Sequence, residues 1–206
     1  MKKLFFFSFL FISSVAYTQF DLSIQLDNGL SRFKNYNKGN VLIAEIYTTI
    51  YSPAIGITAG YQPKNSLFNF NSGLMFRAMG ATMEDWILPD IGFYKENIYY
   101  LTIPIEVEIK VFKKFKGSLS FNNSLLIYDN MARDEITSGD PYHLPREKYE
   151  AGIGLGIKYQ FNQFHVGFKI YHGITTMTPY VKQPDFDPRL YNQAFWLTCE
   201  YKLYSF

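Results

Sequence analysis

The sequence lacks the features that define several common classes of protein. Cys199 is the only cysteine, so the 206-residue chain cannot form an intrachain disulfide and has no cysteine near its N-terminus to accept a lipid anchor. Charged residues make up only 18% of the chain, compared with about a quarter in typical globular domains. The formal net charge of +2 equals that of Lys2 and Lys3 alone, and no basic patch indicates a nucleic-acid partner.

Long apolar runs are also missing, apart from one at the N-terminus. Two lysines precede an apolar stretch over residues 4–15, which is too short for a typical membrane-spanning helix. We therefore predict a secretory signal peptide over residues 1–18, cleaved after Ala16 or Thr18, with a retained anchor helix as the alternative. A single barrel domain then covers residues 19–206. No other run of about 18 apolar residues occurs, so this domain could enter a membrane only as strands.

Aromatic residues, in contrast, are abundant at 19% of the chain, and apolar and polar residues alternate over eight segments. The clearest alternation covers residues 149–161, where odd positions are apolar or aromatic and even positions are polar or glycine. Residues 99–111 alternate nearly as regularly. Six further segments alternate less regularly, and Ser72 and Asn123 are polar exceptions on the apolar faces of two of them. A period of two predicts strands with one apolar and one polar face. The six weaker segments are residues 20–27, 53–61, 68–78, 115–127, 164–171 and 195–203.

The connections between these segments alternate in length. The short ones are residues 62–66, 113–114 and 162–163, and the long ones are residues 28–51, 82–97, 129–148 and 175–191. This rhythm is typical of outer-membrane barrels, which have short periplasmic turns and longer external loops. The predicted fold class is therefore all-β, a closed eight-stranded antiparallel up-and-down transmembrane β-barrel.

Alternation alone leaves open which face of each strand points outward. An eight-stranded barrel has an interior just wide enough for side chains, which favours placing the bulky apolar faces outside. The alternative is a soluble periplasmic or secreted lipocalin-like barrel, in which the same residues point inward and bind an apolar ligand. The predicted lipid-facing residues are Leu101, Ile103, Ile105, Val107, Ile153, Leu155 and Ile157.

Several motifs resemble an outer-membrane barrel family of Bacteroidota, the PorT-like group, with an OmpA-like number of eight strands. Residues 99–105 (YYLTIPI) are similar to the family's Y-L-x-I-P-L pattern, and residues 73–76, 152–159 and 171–175 are similar to its neighbouring strands. The resemblance implies an integral protein of the outer membrane. Phe206 departs from the usual assembly signal, because it is out of phase with the alternate apolar residues that precede it.

Charged residues on the predicted inward faces are the candidate functional residues. We expect them to form a structural plug of ion pairs and hydrogen bonds that fills the lumen. The alternatives are a narrow polar pathway and acid–base chemistry at the Glu106 and Glu108 pair. The predicted lumen network consists of Arg77, Glu106, Glu108, Lys110, Lys158, Lys169, Glu200 and Lys202.

No residue pattern indicates catalysis, a metal site or a cofactor. His143, His165 and His172 lack the spacing of metal ligands, and Asp185 with Asp187 offers too few oxygens for calcium. Nucleophile motifs and phosphate-binding loops are absent from the sequence. We therefore expect a non-enzymatic protein whose partner is outer-membrane lipid. The external loops are the candidate surface for a protein partner.

Overall fold

The computed structural model describes residues 18–36, 47–84, 93–130, 147–177 and 189–205, and these residues are almost entirely β-strand. None of these described segments contains a helix long and apolar enough to cross a membrane. The predicted signal peptide lies outside the described residues except for Thr18, which begins the first strand. The strands are β1 (Thr18–Tyr36), β2 (Tyr47–Thr48), β3 (Ile50–Tyr51), β4 (Ala54–Pro63), β5 (Phe68–Glu84), β6 (Phe93–Phe112), β7 (Phe115–Asp129), β8 (Tyr149–Phe161), β9 (Phe164–Gly173) and β10 (Arg189–Ser205).

Eight of these strands form a closed antiparallel ring. From β4 to β10 each strand pairs with the next in the sequence, and β1 pairs with both β4 and β10. The closure is visible at Asp27, which lies opposite Ala54 on one side and Thr198 on the other. The predicted eight-stranded up-and-down barrel is therefore confirmed, and closure satisfies the backbone of every strand in the ring.

The three short connections reach the same end of the barrel, which we call the short-turn end. Asn65 and Asn162 adopt left-handed backbone conformations there, with φ of 62° and 54°. Asparagine tolerates this region better than most residues, so it suits the tight reversals between β4 and β5 and between β8 and β9. The opposite end, where the strands lead to the long connections, is the loop end.

The strands extend further toward the loop end than the sequence predicts. The predicted long connection over residues 28–51 is wrong at both ends, because β1 continues to Tyr36 and Ile50 of β3 pairs with Ser31. The predicted connection over residues 82–97 is wrong likewise, since β6 already begins at Phe93. These extensions were missed because the alternation inverts there: Phe33 is buried inside, whereas Arg32 and Lys34 are exposed outside.

Over the middle of the barrel, the apolar faces point outward. Ile105 and Leu155 are each 53% exposed, and Ile103 and Ile153 are exposed as well. This is the opposite of the lipocalin-like alternative, which required these four side chains to fill the interior. We call this exposed outer surface the apolar belt. Among the predicted lipid-facing residues, Leu101 and Ile157 are also exposed, and Val107 is half-buried.

Candidate functional site: the barrel interior

Buried ion pairs fill the half of the lumen nearer the short turns. Lys158 Nζ on β8 lies 2.7 Å from Glu106 Oε1, 2.7 Å from Glu108 Oε1 and 3.1 Å from Glu200 Oε2. Lys169 Nζ on β9 lies 2.6 Å from the second Glu106 oxygen, and Lys116 Nζ on β7 lies 2.9 Å from the second Glu108 oxygen. We call these six residues the ionic cluster. It connects five neighbouring strands, β6 to β10.

The ionic cluster is balanced in charge, with three carboxylates and three ammonium groups. Asn69 adds a hydrogen bond, its Nδ2 donating to Glu108 Oε2 at 3.1 Å. His165 lies beside the cluster, with Nδ1 3.5 Å from Glu200 Oε2 but without a well-formed hydrogen bond. Buried charges are tolerated when each is paired and hydrogen-bonded, and these carboxylates meet that condition.

Two predicted members of the lumen network lie apart from the ionic cluster. Lys202 is paired with Asp21 of β1, nearer the short-turn end. The placement of Lys110 in the network is wrong: it occupies an inward position of β6 but is exposed at the mouth. It sits directly opposite Lys116, only two residues before the end of its strand, so no wall of the barrel covers it.

Arg77 also lies outside the ionic cluster, in a layer of aromatic rings farther toward the loop end. Its guanidinium carbon is 5.1 Å from the ring centroid of Trp196 and 5.9 Å from that of Tyr171. Arg77 is 1% exposed, yet within the described part of the chain its three guanidinium nitrogens have no hydrogen-bond partner. Its guanidinium group therefore packs against these two rings, as in a cation–π interaction.

Glu150 is the carboxylate of this aromatic layer, and the sequence prediction omitted it. Its Oε1 accepts a hydrogen bond from the Tyr171 hydroxyl at 2.8 Å, and its Oε2 accepts one from Asn192 Nδ2 at 2.6 Å. Trp196 is anchored similarly, since its Nε1 donates to the Ser52 carbonyl at 2.9 Å. Glu150 occupies an even position of the most regular alternating segment, so parity alone could have identified it.

Above the aromatic layer, most of the buried side chains are apolar, although Ser31, Glu96 and Asp129 are buried there as well. Phe33, Met79, Ile98, Met177 and Leu190 are all buried and pack in one cluster with the aromatic layer. The sequence prediction of a polar lumen is therefore incomplete, because a hydrophobic cluster occupies much of the interior at the loop end. The signal was present in the chain as apolar residues on the inward parity of β1, β5, β6 and β10.

Glycines on β8 make room for this filling. Gly152, Gly154 and Gly156 face inward, and a Cβ on Gly152 would overlap the ring of Tyr171. A Cβ on the other two would crowd the hydroxyls of Ser120 and Ser118. The absence of side chains on one wall therefore allows larger groups from other strands to occupy the axis of a narrow barrel.

Little free space remains in the middle of the barrel. The cavity bordered by Glu106, Lys158, Lys169 and Glu200 has a volume of about 10 Å³, which is near the minimum for a single water molecule. A larger cavity of about 140 Å³ lies at the short-turn end, between residues of the mouth. The cavity beside the ionic cluster is therefore much smaller than the one at the short-turn end.

The structure describes three further candidate residues, His165, His172 and Cys199. Within the described ranges, no group of histidine, cysteine and acidic side chains is arranged to hold a metal ion. His172 faces outward, where its Nδ1 lies 3.2 Å from Gln193 Nε2, and Cys199 is half-buried on the outer face. The predictions for His143 and for the pair Asp185 and Asp187 fall outside the described residues.

Comparisons with known proteins find matches among solved structures only. No family model matches the chain, and no curated protein sequence matches it. Neisserial surface protein A is similar in structure with a TM-score of 0.47 and 9% identity, over 88% of this chain and 97% of that one. Ail of Yersinia pestis, in complex with sucrose octasulfate, has a TM-score of 0.42 and 10% identity, over 90% of this chain and 99% of that one. OprG of Pseudomonas aeruginosa has a TM-score of 0.42 and 9% identity, over 91% of this chain and 95% of that one.

With TM-scores below 0.5 and identities of 9–10%, these likenesses add nothing to the assignment. The fold rests on the strand pairing of this chain, and its functional interpretation rests on which side chains face in and which face out.

Proposed function

We propose that the protein is a non-enzymatic, integral outer-membrane β-barrel whose lumen is sealed by its own side chains. The observation that carries the proposal is the polarity of the barrel wall, with exposed Leu, Ile and Phe outside and ion pairs inside. In water, such a belt would leave a large apolar surface exposed, which monomeric soluble proteins avoid. In a bilayer, lipid tails cover it.

Polar atoms within the apolar belt support the same proposal. Ser72 and Asn123, the two exceptions to its pattern, both have hydrogen-bond partners on the protein surface. Ser72 Oγ donates to the Pro104 carbonyl at 2.9 Å, and Asn123 Oδ1 accepts from the Tyr149 hydroxyl at 2.6 Å. Hydrocarbon offers no partner to a polar group, so internal satisfaction is what a lipid-facing wall requires.

Aromatic pairs near the short-turn end provide further support. Each pair joins a phenylalanine to a tyrosine on the neighbouring strand, with ring centroids 4.8–5.2 Å apart. Aromatic side chains concentrate at membrane–water interfaces, because the ring prefers the apolar side and the hydroxyl prefers water. The pairs are Phe20 with Tyr61, Phe115 with Tyr159, and Phe164 with Tyr201.

The finer parts of the proposal rest on the sequence. A secretory signal over residues 1–18 would deliver the chain to the periplasm, from which outer-membrane barrels assemble. Membership of the PorT-like group of Bacteroidota is supported by the motifs at residues 99–105 and 171–175. The external loops are proposed as the binding surface for a partner, because loops on a rigid scaffold commonly carry recognition.

Fractionation tests the membrane part of the proposal. We expect the mature protein in the outer-membrane fraction, resistant to extraction by carbonate or urea and released by detergent. Folded barrel in detergent should also migrate differently from heated barrel on a gel. Recovery of a monomeric, detergent-free protein from the soluble fraction would contradict the proposal.

Conductance tests the sealed lumen. After reconstitution into a planar bilayer, the protein should give no steady ion current, because the cavity at the ionic cluster accommodates at most one water molecule. An open porin reconstituted in the same lipid serves as the positive control. Steady single-channel currents from the folded protein would contradict the plug and favour the narrow polar pathway.

A further inference from the structure

The cavity at the short-turn end is strongly basic, and we call it the lysine vestibule. Its volume is about 140 Å³, and it lies inside the mouth of the barrel, below the ionic cluster. One carboxylate, that of Glu108, contributes to its lining. Five lysines line it as well: Lys110, Lys113, Lys114, Lys116 and Lys202.

Only part of this positive charge is neutralised by the protein. Glu108 is already shared between Lys116 and Lys158, and Lys202 is paired with Asp21. Among the described residues, the other three lysines of the vestibule have no carboxylate partner. One of them, Lys114, lies with its ammonium group 5.9 Å from the ring centroid of Tyr159. Three uncompensated cations around one concavity generate a positive potential that attracts anions.

The size and chemistry of the vestibule indicate the kind of anion. A single water needs about 10–15 Å³, so the space exceeds that requirement about tenfold. The lining is polar, with Gln19, Gln62 and Gln160 beside the lysines and Leu67 as its apolar member. Each ammonium group offers three hydrogen-bond donors, which suits the several acceptor oxygens of a phosphate.

We propose that the lysine vestibule binds a phosphate group, held by Lys110, Lys113 and Lys114. Under the proposed function, this end of the barrel faces the periplasm, and the proposal deepens that function by naming a ligand class. The phosphate can come from the headgroup of an anionic phospholipid or from a soluble phosphate compound. Both sources present the same oxygens to the same lysines.

Two binding measurements on the folded barrel test the proposal and separate the sources. Titration calorimetry in neutral detergent uses inorganic pyrophosphate as the soluble probe. Native mass spectrometry of protein released from nanodiscs compares retention of phosphatidylglycerol with that of phosphatidylcholine. Binding in either arm should weaken as salt is added, because the attraction is electrostatic.

The decisive variant is Lys110→Gln/Lys113→Gln/Lys114→Gln, which should lower pyrophosphate affinity or phosphatidylglycerol retention at least tenfold. Its matched control is Lys34→Gln/Lys95→Gln/Lys148→Gln, which removes the same charge at the loop end and should leave binding unchanged. All six lysines are exposed, so folding should survive in both variants. Lys110→Gln alone provides a milder second variant, with an intermediate loss.

Pyrophosphate binding identifies a soluble source, whereas retention of phosphatidylglycerol alone identifies the lipid. The proposal is overturned if the wild type binds neither probe, or if the control variant loses as much binding as the vestibule variant. The calorimetric arm requires only the folded barrel in detergent, so its failure is distinguishable from failure of the membrane assignment in fractionation.

Discussion

At the scale of single residues, Lys158 is the centre of the interior. Its ammonium group contacts three buried carboxylates on two strands, β6 and β10. Desolvating so many charges is costly, and the cluster is stable because each charge has a close partner. Removing the one cation common to all three carboxylates should therefore be more damaging than removing any single partner.

Lys158→Met tests this claim. We expect it to lower the free energy of unfolding by about 3–5 kcal/mol, because it leaves buried carboxylates without their shared cation. Denaturant titration of the barrel in detergent micelles measures the change. Lys95→Met, at an exposed outward position, should change stability by no more than about 0.5 kcal/mol. Equal stability of the two variants would refute the central role of Lys158.

Arg77 provides a contrast, since it is buried and none of the described residues accepts a hydrogen bond from its guanidinium group. Its guanidinium group packs against the rings of Trp196 and Tyr171, and a cation–π interaction contributes about 0.5–2 kcal/mol. Arg77→Met keeps most of the apolar stem, so it should cost no more than about 2 kcal/mol and clearly less than Lys158→Met. The same denaturant titration compares the two, and a larger loss at Arg77 would indicate that its charge also compensates the buried Glu150 carboxylate.

At the scale of elements, the parity of the strands was predictable and their lengths were not. The alternation at residues 149–161 arises because one face of this strand lies on the apolar outer surface of the barrel and the other face lies in a crowded lumen. The alternation at the loop end of β1 inverts, with Phe33 inside and Lys34 outside, so a search for outward apolar residues ended the strand too early. The apolar core near Ile98 and Leu190 was missed for the same reason, because apolar residues were expected only on the outward faces.

The glycines of β8 give a prediction at this scale. Gly152→Ala should destabilise the barrel by about 1–3 kcal/mol, because its Cβ would overlap the ring of Tyr171. Gly117→Ala is the matched control, since a Cβ there has 3.6 Å to its nearest neighbour. Thermal unfolding in detergent compares the variants.

A double-variant cycle makes the cause specific. In a Tyr171→Ala background the overlap disappears, so Gly152→Ala should lose most of its additional cost. If the cost of Gly152→Ala is the same in both backgrounds, the clash with Tyr171 is not its origin.

At the scale of the whole molecule, the barrel has three parts along its axis. A basic mouth lies at the short-turn end, an ionic and aromatic filling lies inside the apolar belt, and an apolar core lies inside the loop end. The ring of eight strands could be predicted from period-two patterns, and the outward direction of the apolar faces from the narrow interior of an eight-stranded barrel. Contacts between strands distant in the sequence could not, which is why Lys110 was assigned to the network, whereas Glu150 was left out although its position in the alternation indicates an inward side chain.

The central claim is that the apolar faces of the strands contact lipid. Leu155→Cys in a Cys199→Ser background, labelled with a bimane fluorophore and reconstituted in bilayers, tests it most directly. Lys95→Cys in the same background marks the exposed loop end. Brominated lipid should quench the label at position 155 strongly and aqueous iodide should quench it weakly, with the reverse at position 95. Efficient iodide quenching at position 155 in the folded, reconstituted barrel would contradict it.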